Sequence, residues 1–463
     1  MSTGLYSITT RAAGTVLTAS VYNSDHQNHV TNQNPSMTGA YADNISQFQA
    51  AIDPGDVGTE SLPASLADEL SRVRAMFARI FGLGQWYAKP GAANAGRVPV
   101  VKSDGSGLGL SVITGDANLL VNPAMDFDQR NESASVAVAT GNTRFITDQW
   151  QVAFIGVATG VTGQRVVDAP PGLSYSLKVT IGTGSATVNA TDALQILQNI
   201  EATSITDLGF GAAGADPVSV GFWVKSSLTG TFGYSLRNAG NTRSYVGTFT
   251  ISVANTWQFV PVANVAGDTT GAWAISAGVG LSLAIVLMAG ATLQTATVNA
   301  WQAGNFLTTS GQTNVAATTG ATFQVTGFDL REGPVVVPLH RRKAQAEQAL
   351  CQRYYEKSYD SGTAVGAVTT AGRISLSVNY TVNSTYTIGR SESFKVTKRA
   401  TPAVSLFSTQ TGTSGRMYDT TNAADVVVAA SSVGLNGFTW SASVSASTST
   451  ASFGGHFAAD ASL

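Results

Sequence analysis

The middle of the chain is constrained most by a regular alternation of apolar residues with small or polar ones. Two runs show it most clearly: Val218, Val220, Phe222 and Val224, then Leu281, Leu283, Ile285 and Leu287. A period of two is that of β-strands with one buried face. Clusters of Gly, Asn, Asp and Pro separate the strand candidates, at positions 168–172, 214–217, 238–241 and 266–271. This spacing predicts a mainly β fold, with a sandwich or jelly roll as one domain over residues 115–333.

Charged residues are unusually sparse. Asp, Glu, Lys and Arg make up 12% of the 463 residues, against a usual share of roughly 25%. None of them occurs between residues 269 and 328. The apolar part of this stretch, residues 274–290, is interrupted by Ser and Gly, alternates, and is shorter than the about 20 apolar residues of a membrane span. We therefore expect a sheet strand there and no membrane insertion.

The net charge and the single cysteine limit the partners and the compartment. A formal net charge of -2 gives no basic footprint, so we expect no nucleic acid partner. Cys351 is the only cysteine, which excludes an intramolecular disulfide. The first residues show no charged segment followed by an apolar one, so no secretory signal is visible. These features predict a protein made in a cytoplasm and released by lysis.

The first 60 residues are too polar to build a core of their own. Thr18 is a candidate N-cap for a helix with a thin apolar stripe, so we expect residues 1–60 to order only against a partner. His26 and His29 lie at helical spacing beside Asp25. No third strong ligand follows at motif spacing, so polar interface residues are the preferred interpretation and no metal site is predicted.

Residues 61–83 read as a helix from the candidate N-cap Ser61 to a stop at Gly82. Its apolar residues follow alternating steps of four and three: Leu66, Leu70, Val73, Phe77 and Ile80. This is a coiled-coil seam of about two heptads, too short to hold chains together unaided. A lone amphipathic helix is the alternative. Residues 84–114, rich in Gly, Ala and Ser, are predicted to be a linker or a small spacer.

The C-terminal part begins with the most charged segment of the chain. Residues 334–360 are predicted to form a connector helix with Ala346, Leu350 and Tyr354 as its apolar stripe. Cys351 is expected to be a small buried residue, and residues 341–343 a solvated basic flank. Residues 361–463 return to strand patterns and predict a small β-domain, whose core neighbouring chains could help to complete.

Several segments resemble a module common in bacteriophage fibre and tail proteins, which is similar in layout to jelly-roll carbohydrate-binding modules. They are NLLVNPAMDFDQR at 118–130, PVSVGFWVKSSLTGTF at 217–232, NTWQFVPVANVAGDTTGAW at 255–273, and GFDLREG with ALCQRYYEKSY at 327–333 and 349–359. The segment at 10–33 resembles the entry of phage fibres, and FKVTKRATPAVSLFS at 394–408 resembles their terminal β-domain.

The resemblance implies a structural, non-enzymatic virion appendage, assembled in the host cytoplasm and active in host adsorption. It implies that residues 1–60 attach to tail, portal or adaptor proteins, that the coil is a parallel homotrimer, and that a host surface polysaccharide is the ligand. No cofactor is expected. Two alternatives stay open, a head or collar decoration fibre and a polysaccharide depolymerase.

Candidate ligand residues are aromatic side chains with polar neighbours, since sugar rings stack on exposed aromatic faces and their hydroxyls need hydrogen-bonding partners. The turn region SLRNAGNTRSY at 235–245 combines both, although ordinary hairpin chemistry explains it equally well. The predicted ligand residues are Arg237, Asn238, Arg243, Tyr245, Trp223 and, in the C-terminal domain, Trp440.

Catalytic and metal motifs give no clear signal. Asp126, Asp128, Glu132 and Asp148 are candidate carboxylates, but no spacing identifies a catalytic pair. Structural or calcium-binding roles for Asp126, Asp128 and Asp329 are at least as well supported. The four histidines avoid the central module, so no Ser/His/Asp constellation is visible, and GFGAAG at 209–214 lacks the following helix that phosphate binding needs.

Overall fold

The computed structural model describes residues 98–101, 108–111, 118–379, 385–445 and 450–463. The chain divides into two compact units, residues 1–110 and 111–463. Strands β1 (Val98–Val101) and β2 (Leu108–Ser111) pair in a two-stranded sheet, within the range predicted as a linker. The anchor at 1–60 and the coil at 61–83 lie outside the described residues and stay predictions.

A two-sheet antiparallel sandwich fills most of the range 118–332, as the alternation predicts. Its strands in chain order are β3 (Val136–Ala137), β4 (Asn142–Thr147), β5 (Trp150–Ile155), β6 (Thr162–Val166), β7 (Ser176–Thr180), β8 (Ala193–Glu201), β9 (Val218–Ser226), β10 (Gly230–Asn238), β11 (Arg243–Ile251), β12 (Gln258–Val265), β13 (Val279–Ala289), β14 (Trp301–Ala303) and β15 (Thr322–Glu332). Sheet A has the order β14-β11-β10-β13-β8-β5-β4, and sheet B the order β12-β9-β15-β7-β6-β3.

The core lies between the two sheets and is built from the alternating residues. Val218, Val220, Phe222 and Val224 of β9 are all fully buried, which confirms the predicted strand. Phe222 stacks on Phe328 of β15, with ring centroids 5.3 Å apart. Phe222 also packs edge-on against Phe249 of β11 in sheet A, with ring centroids 5.5 Å apart. It therefore lies between the two sheets, and the odd-numbered residues of β9 point away from the core.

Strand β13 confirms the predicted sheet strand in the charge-free stretch but corrects the prediction of a single buried face. Val286 and Ala289 are buried in addition to the inward residues, because Leu293 and Leu307 pack on the outer face of the strand. The stretch without charges thus supplies both a central strand and its cover. No helix in the described part of the chain is long and apolar enough to cross a membrane.

The predicted connector contains one short helix, α1 (Ala344–Gln352). The predicted stripe is confirmed only in part: Tyr354, just beyond the helix, is buried, Leu350 is partly buried and Ala346 is exposed. The buried residues of α1 itself are Glu347, Cys351 and Gln352. Glu347 is buried because it bonds Arg342 and the backbone N–H of Asn122. Cys351 is fully buried, as predicted. Arg342 corrects the prediction of a solvated basic flank, since its guanidinium also donates to the carbonyl of Leu120.

The remaining strands form a second β-structure around the last strand. They are β16 (Tyr355–Lys357), β17 (Ile374–Asn379), β18 (Thr385–Ser393), β19 (Ala403–Ser408), β20 (Arg416–Asp419), β21 (Ala424–Val427), β22 (Ala429–Ser431), β23 (Gly437–Ser445) and β24 (Thr450–Asp460). Strand β24 is central, because Gly455 is in register with both Ile374 of β17 and Ser408 of β19. A separate sheet, β18-β23-β22, contributes Trp440 to the core of this part. We call the buried side chains of these strands and their loops the C-terminal core; they include Trp440, Phe453, Phe457, Glu356, Lys398 and His456.

Ion pairs join the sandwich to the C-terminal strands. The guanidinium of Arg130 forms a bidentate pair with Asp460, at 2.7 and 2.9 Å, and lies 3.9 Å from the ring centroid of Tyr355. Arg353 forms a second bidentate pair with Glu201, at 2.8 and 3.0 Å. The charged side chains at this junction are therefore engaged in ion pairs within the chain.

Candidate functional site

Partly exposed aromatic rings lie on the outer face of sheet B. Trp223 of β9 points outward because its neighbours Phe222 and Val224 point into the core. Phe259 of β12 is in register with Trp223, and their ring centroids are 5.3 Å apart. Trp257 lies just before β12 on the same side. We call this surface the aromatic face, which consists of Trp223, Trp257, Phe259, Asp168, Lys225 and Gln324.

A glycine allows Trp223 to lie over the neighbouring strand. Gly327 sits in a bulge of β15, between Thr326 and Asp329, with a left-handed φ of 66°. A Cβ at this position would lie 2.8 Å from the indole of Trp223 and 2.7 Å from Leu173. Only glycine accepts both the backbone conformation and the close contact. The indole is therefore held in one place by packing.

Asp168 is the centre of the polar part of the aromatic face. Its carboxylate accepts hydrogen bonds from Lys225, from Nε2 of Gln324 at 3.1 Å and from Nε1 of Trp257 at 3.3 Å. The ammonium of Lys225 also lies 5.2 Å from the ring centroid of Trp257. Burial raises the pKa of Asp168, but the bonds from Lys225, Gln324 and Trp257 outweigh it and lower the pKa overall. The carboxylate is thus ionised at neutral pH.

The polar groups continue as a row across four strands of sheet B. Lys225 of β9 is in register with Gln324 of β15, Gln324 with Lys178 of β7, and Lys178 with Gln164 of β6. Four strands span roughly 14 Å at a spacing of about 4.8 Å. A fixed aromatic platform beside such a row can stack against sugar rings and bond their hydroxyls.

The predicted turn residues are spread over several environments. Asn238 is buried and organises its own hairpin, because Oδ1 accepts the N–H groups of Thr242 and Arg243. Arg243 forms a bidentate pair with Asp268, at 2.7 Å for both bonds. Tyr245 is buried in the core between the sheets. Hairpin and core chemistry therefore account for these residues.

The two predicted tryptophans lie in opposite environments. Trp223 is part of the aromatic face, whereas Trp440 is fully buried and donates Nε1 to Glu392 at 3.2 Å. The ring of Trp440 is inside the C-terminal core and presents no face for stacking. Trp257, Phe259 and Asp168 were missed as ligand candidates. The sequence did contain a signal for this surface: Trp223 and Lys225 alternate with the buried residues of β9, so both lie on the outer face of the strand.

A second aromatic group lies near the predicted turn. The ring of Trp301 is 5.3 Å from Trp273, 5.7 Å from Phe210 and 5.6 Å from Tyr245. Alongside it, an open groove of about 560 Å³ runs between the edges of the two sheets and is lined in part by Tyr234, Tyr245, Phe249, Phe259 and Asn299. Tyr245 thus belongs to the wall of this groove, and none of its lining residues in the described part of the chain is charged.

The candidate carboxylates are all engaged within the chain. Asp126 pairs with Arg341, and Glu132 with Lys357. Asp128 accepts the backbone N–H groups of Asn131 and Ser133. Asp148 accepts two bonds from Gln129, while its complete burial raises its pKa to about 6. Asp329 pairs with Arg331. Within the described ranges, no group of three His, Cys, Asp or Glu side chains could hold a metal ion.

Neither a protein-family model nor a curated protein sequence matches the chain. Among solved structures, the enzymatically active domain of tailspike protein 4 of bacteriophage CBA120 matches 48% of this chain and 22% of its own, with 13% identity and a TM-score of 0.25. The module TmCBM61, solved in complex with beta-1,4-galactotriose, matches 46% of this chain and 98% of its own, with 12% identity and a TM-score of 0.23. A family 11 carbohydrate-binding module of Clostridium thermocellum matches 44% and 99%, with 10% identity and a TM-score of 0.21.

Proposed function

We propose that the chain binds polysaccharide through the aromatic face of sheet B. One observation carries the proposal: Trp223 and Trp257 are partly exposed and held in place beside the hydrogen-bonded group of Asp168, Lys225 and Gln324. The rings would cover the apolar faces of sugar rings, and the polar row would bond their hydroxyls. Because the side chains are already ordered, little conformational entropy is lost on binding.

The proposed role is non-enzymatic adhesion as part of a virion. The resemblance of residues 118–130 and 349–359 to phage fibre proteins supports it. In this proposal residues 1–60 attach to tail, portal or adaptor proteins and three copies of the chain assemble through the coil. A single face gives weak binding, and several linked copies raise the apparent affinity by about 10²–10⁴ without new contacts. A head or collar fibre would use the same face in an auxiliary role.

The test measures binding of the full chain to an array of purified bacterial surface polysaccharides. Trp223→Ala and Trp257→Ala are each expected to weaken the strongest interaction by about tenfold, because each removes one stacking platform. Trp273→Ala is the matched control, since Trp273 is also partly exposed but lies off the aromatic face. It is expected to bind like the unchanged protein.

Equal losses in all three variants would contradict the aromatic face as the site. The polysaccharide is also sized after incubation. Unchanged length agrees with adhesion, whereas shortened chains would replace it with the depolymerase alternative.

A further inference from the structure

The outer face of sheet A buries an arginine without a carboxylate partner. Arg237 of β10 is 5% exposed. Its Nη1 donates to Oδ1 of Asn241 at 3.2 Å and to Oδ1 of Asn305 at 3.0 Å, and its Nη2 donates to Oε1 of Gln195 at 3.0 Å. Among the described residues, Nε has no hydrogen-bond partner although it is buried. The charge is thus surrounded by neutral carboxamides.

Four other partly buried arginines of the chain are neutralised by carboxylates. Arg130, Arg243, Arg331 and Arg353 each form a bidentate pair with an Asp or Glu, the partners being Asp460, Asp268, Asp329 and Glu201. Burying an ion without an opposite charge is costly.

Burial lowers the pKa of Arg237 to about 10, and no neighbouring charge counters this shift in the part of the chain that the structure describes. The guanidinium still carries its proton at neutral pH. It is therefore a buried cation whose counterion is not supplied by the described residues.

The guanidinium lies directly behind side chains that reach solvent. Asn241 and Asn305 are exposed, and Gln195 is partly exposed. Asn241 lies in the β10–β11 hairpin, and Asn305 lies just after β14. Their amide oxygens occupy positions where a carboxylate would form stronger, charge-assisted bonds with Arg237. Rotation of these two side chains would admit an anion from solvent without a change in the sheet.

We propose that Arg237, with Gln195, Asn241 and Asn305, forms a subsite for the carboxylate of an acidic sugar residue. The planar edge of a guanidinium matches a carboxylate in a bidentate arrangement. The amide groups of the three carboxamides would bond the adjoining hydroxyls. The subsite lies on the opposite sheet from the aromatic face, so it adds a second contact for the ligand class of the proposed function, on which it rests.

The test compares polygalacturonate with its methyl ester, which has the same backbone without the charges. The full chain is expected to bind the acid about tenfold more tightly, the worth of one charge-assisted hydrogen bond. Asn305→Asp places a carboxylate beside Arg237 and is expected to remove this preference. Asn436→Asp is the matched control, because Asn436 is also exposed and its Oδ1 also accepts a hydrogen bond.

Folding is checked in the same variants by thermal unfolding. Asn305→Asp is expected to raise the unfolding temperature relative to Asn436→Asp, since it neutralises a buried cation. A lower unfolding temperature would overturn the assignment of a missing counterion. Arg237→Gln provides a second variant, in which the preference for the acid should also be lost.

The two proposals fail in different ways. If acid and ester bind equally, or if neither binds, the acidic subsite is overturned. The proposed function is decided separately by Trp223→Ala and Trp273→Ala on the polysaccharide array. A preference for the acid that survives both Asn305→Asp and Arg237→Gln would place the anion elsewhere and also overturn the subsite.

Discussion

The aromatic face and the C-terminal core contain the same chemical parts in opposite environments. Each has a Lys–carboxylate pair, and each has a tryptophan that donates its indole N–H to an acidic side chain. The side chains of Lys225 and Asp168 are 16% and 41% exposed, whereas those of Lys398 and Glu356 are 0% and 1% exposed. Residue type alone therefore does not separate a binding surface from a structural core, but access to solvent does.

The physical consequence differs in each region. An exposed ion pair adds little to stability, because water screens it and its side chains lose entropy. It remains available to a ligand. A buried pair carries a desolvation cost, and loss of one partner leaves an uncompensated charge. Mutations in the aromatic face should therefore change binding, and equivalent mutations in the C-terminal core should change stability.

The largest difference in stability between the two regions is expected when their tryptophans are replaced. Trp440→Ala should lower the free energy of unfolding by about 3–5 kcal/mol, because it leaves a large cavity in a closed core. Trp223→Ala should lower it far less, since the ring is partly exposed. Chemical denaturation of both variants measures the difference. Similar losses in the two would show that the indole of Trp223 is a structural element rather than a platform for a ligand.

The lysines of the two ion pairs provide a second comparison between the aromatic face and the C-terminal core. Lys398→Met should cost about 3–5 kcal/mol, because it strands the buried Glu356 carboxylate. Lys225→Met should cost about 1 kcal/mol or less and should weaken polysaccharide binding. Unfolding and binding are measured on the same preparations. Adding Glu356→Gln to Lys398→Met should restore part of the lost stability, and no restoration would contradict the stranded-charge explanation.

Alternation in the sequence predicts the strands well but not which outer face meets solvent. Val218 to Val224 identify β9 and place Trp223 outside the core. The same period places Trp440 on one side of β23 without showing that this side is the core. A shift of one residue exchanges the two faces of a strand, so the assignment depends on pairing with distant strands.

Other features depend on contacts between residues far apart in the sequence. The outer face of β13 is covered by Leu293 and Leu307, and the buried side of α1 is set by Arg342 and Asn122 around Glu347. Arg237 was a candidate from its residue type, but its missing carboxylate partner is visible only in three dimensions. Local patterns therefore predict elements, whereas burial and charge pairing require the fold.

The smallest but most selective difference between the aromatic face and the C-terminal core is expected on lowering the pH. His456 is fully buried, with its ring stacked on Tyr359 at 3.9 Å. Because the carbonyl of Thr369 can only accept, Nε2 carries the proton, and Nδ1 accepts from Ser358. Burial lowers the pKa of His456, and the bond to Thr369 only partly offsets it. The neutral ring is therefore the form that the folded protein contains.

The sign of the pH dependence follows from this shift. A histidine with a lowered pKa binds fewer protons when folded than when unfolded, so the free energy of unfolding falls as the pH drops below about 6.5. Asp148 acts in the opposite direction: its pKa is raised to about 6, so the folded protein takes up a proton there around this pH, which partly offsets the fall. The aromatic face should keep its charges throughout this range, because the pKa of Asp168 is lowered from 3.8.

Denaturation between about pH 7.5 and 6 should therefore show falling stability, while binding through the aromatic face stays constant. His456→Gln retains a polar side chain that cannot titrate and should remove this slope, and His340, which lies outside the C-terminal core, provides the control variant His340→Gln. If stability is flat, or if both variants change the slope equally, His456 is not the titrating group. If binding falls with stability, the aromatic face and the C-terminal core are coupled, and the separation between a binding surface and a structural core would have to be abandoned.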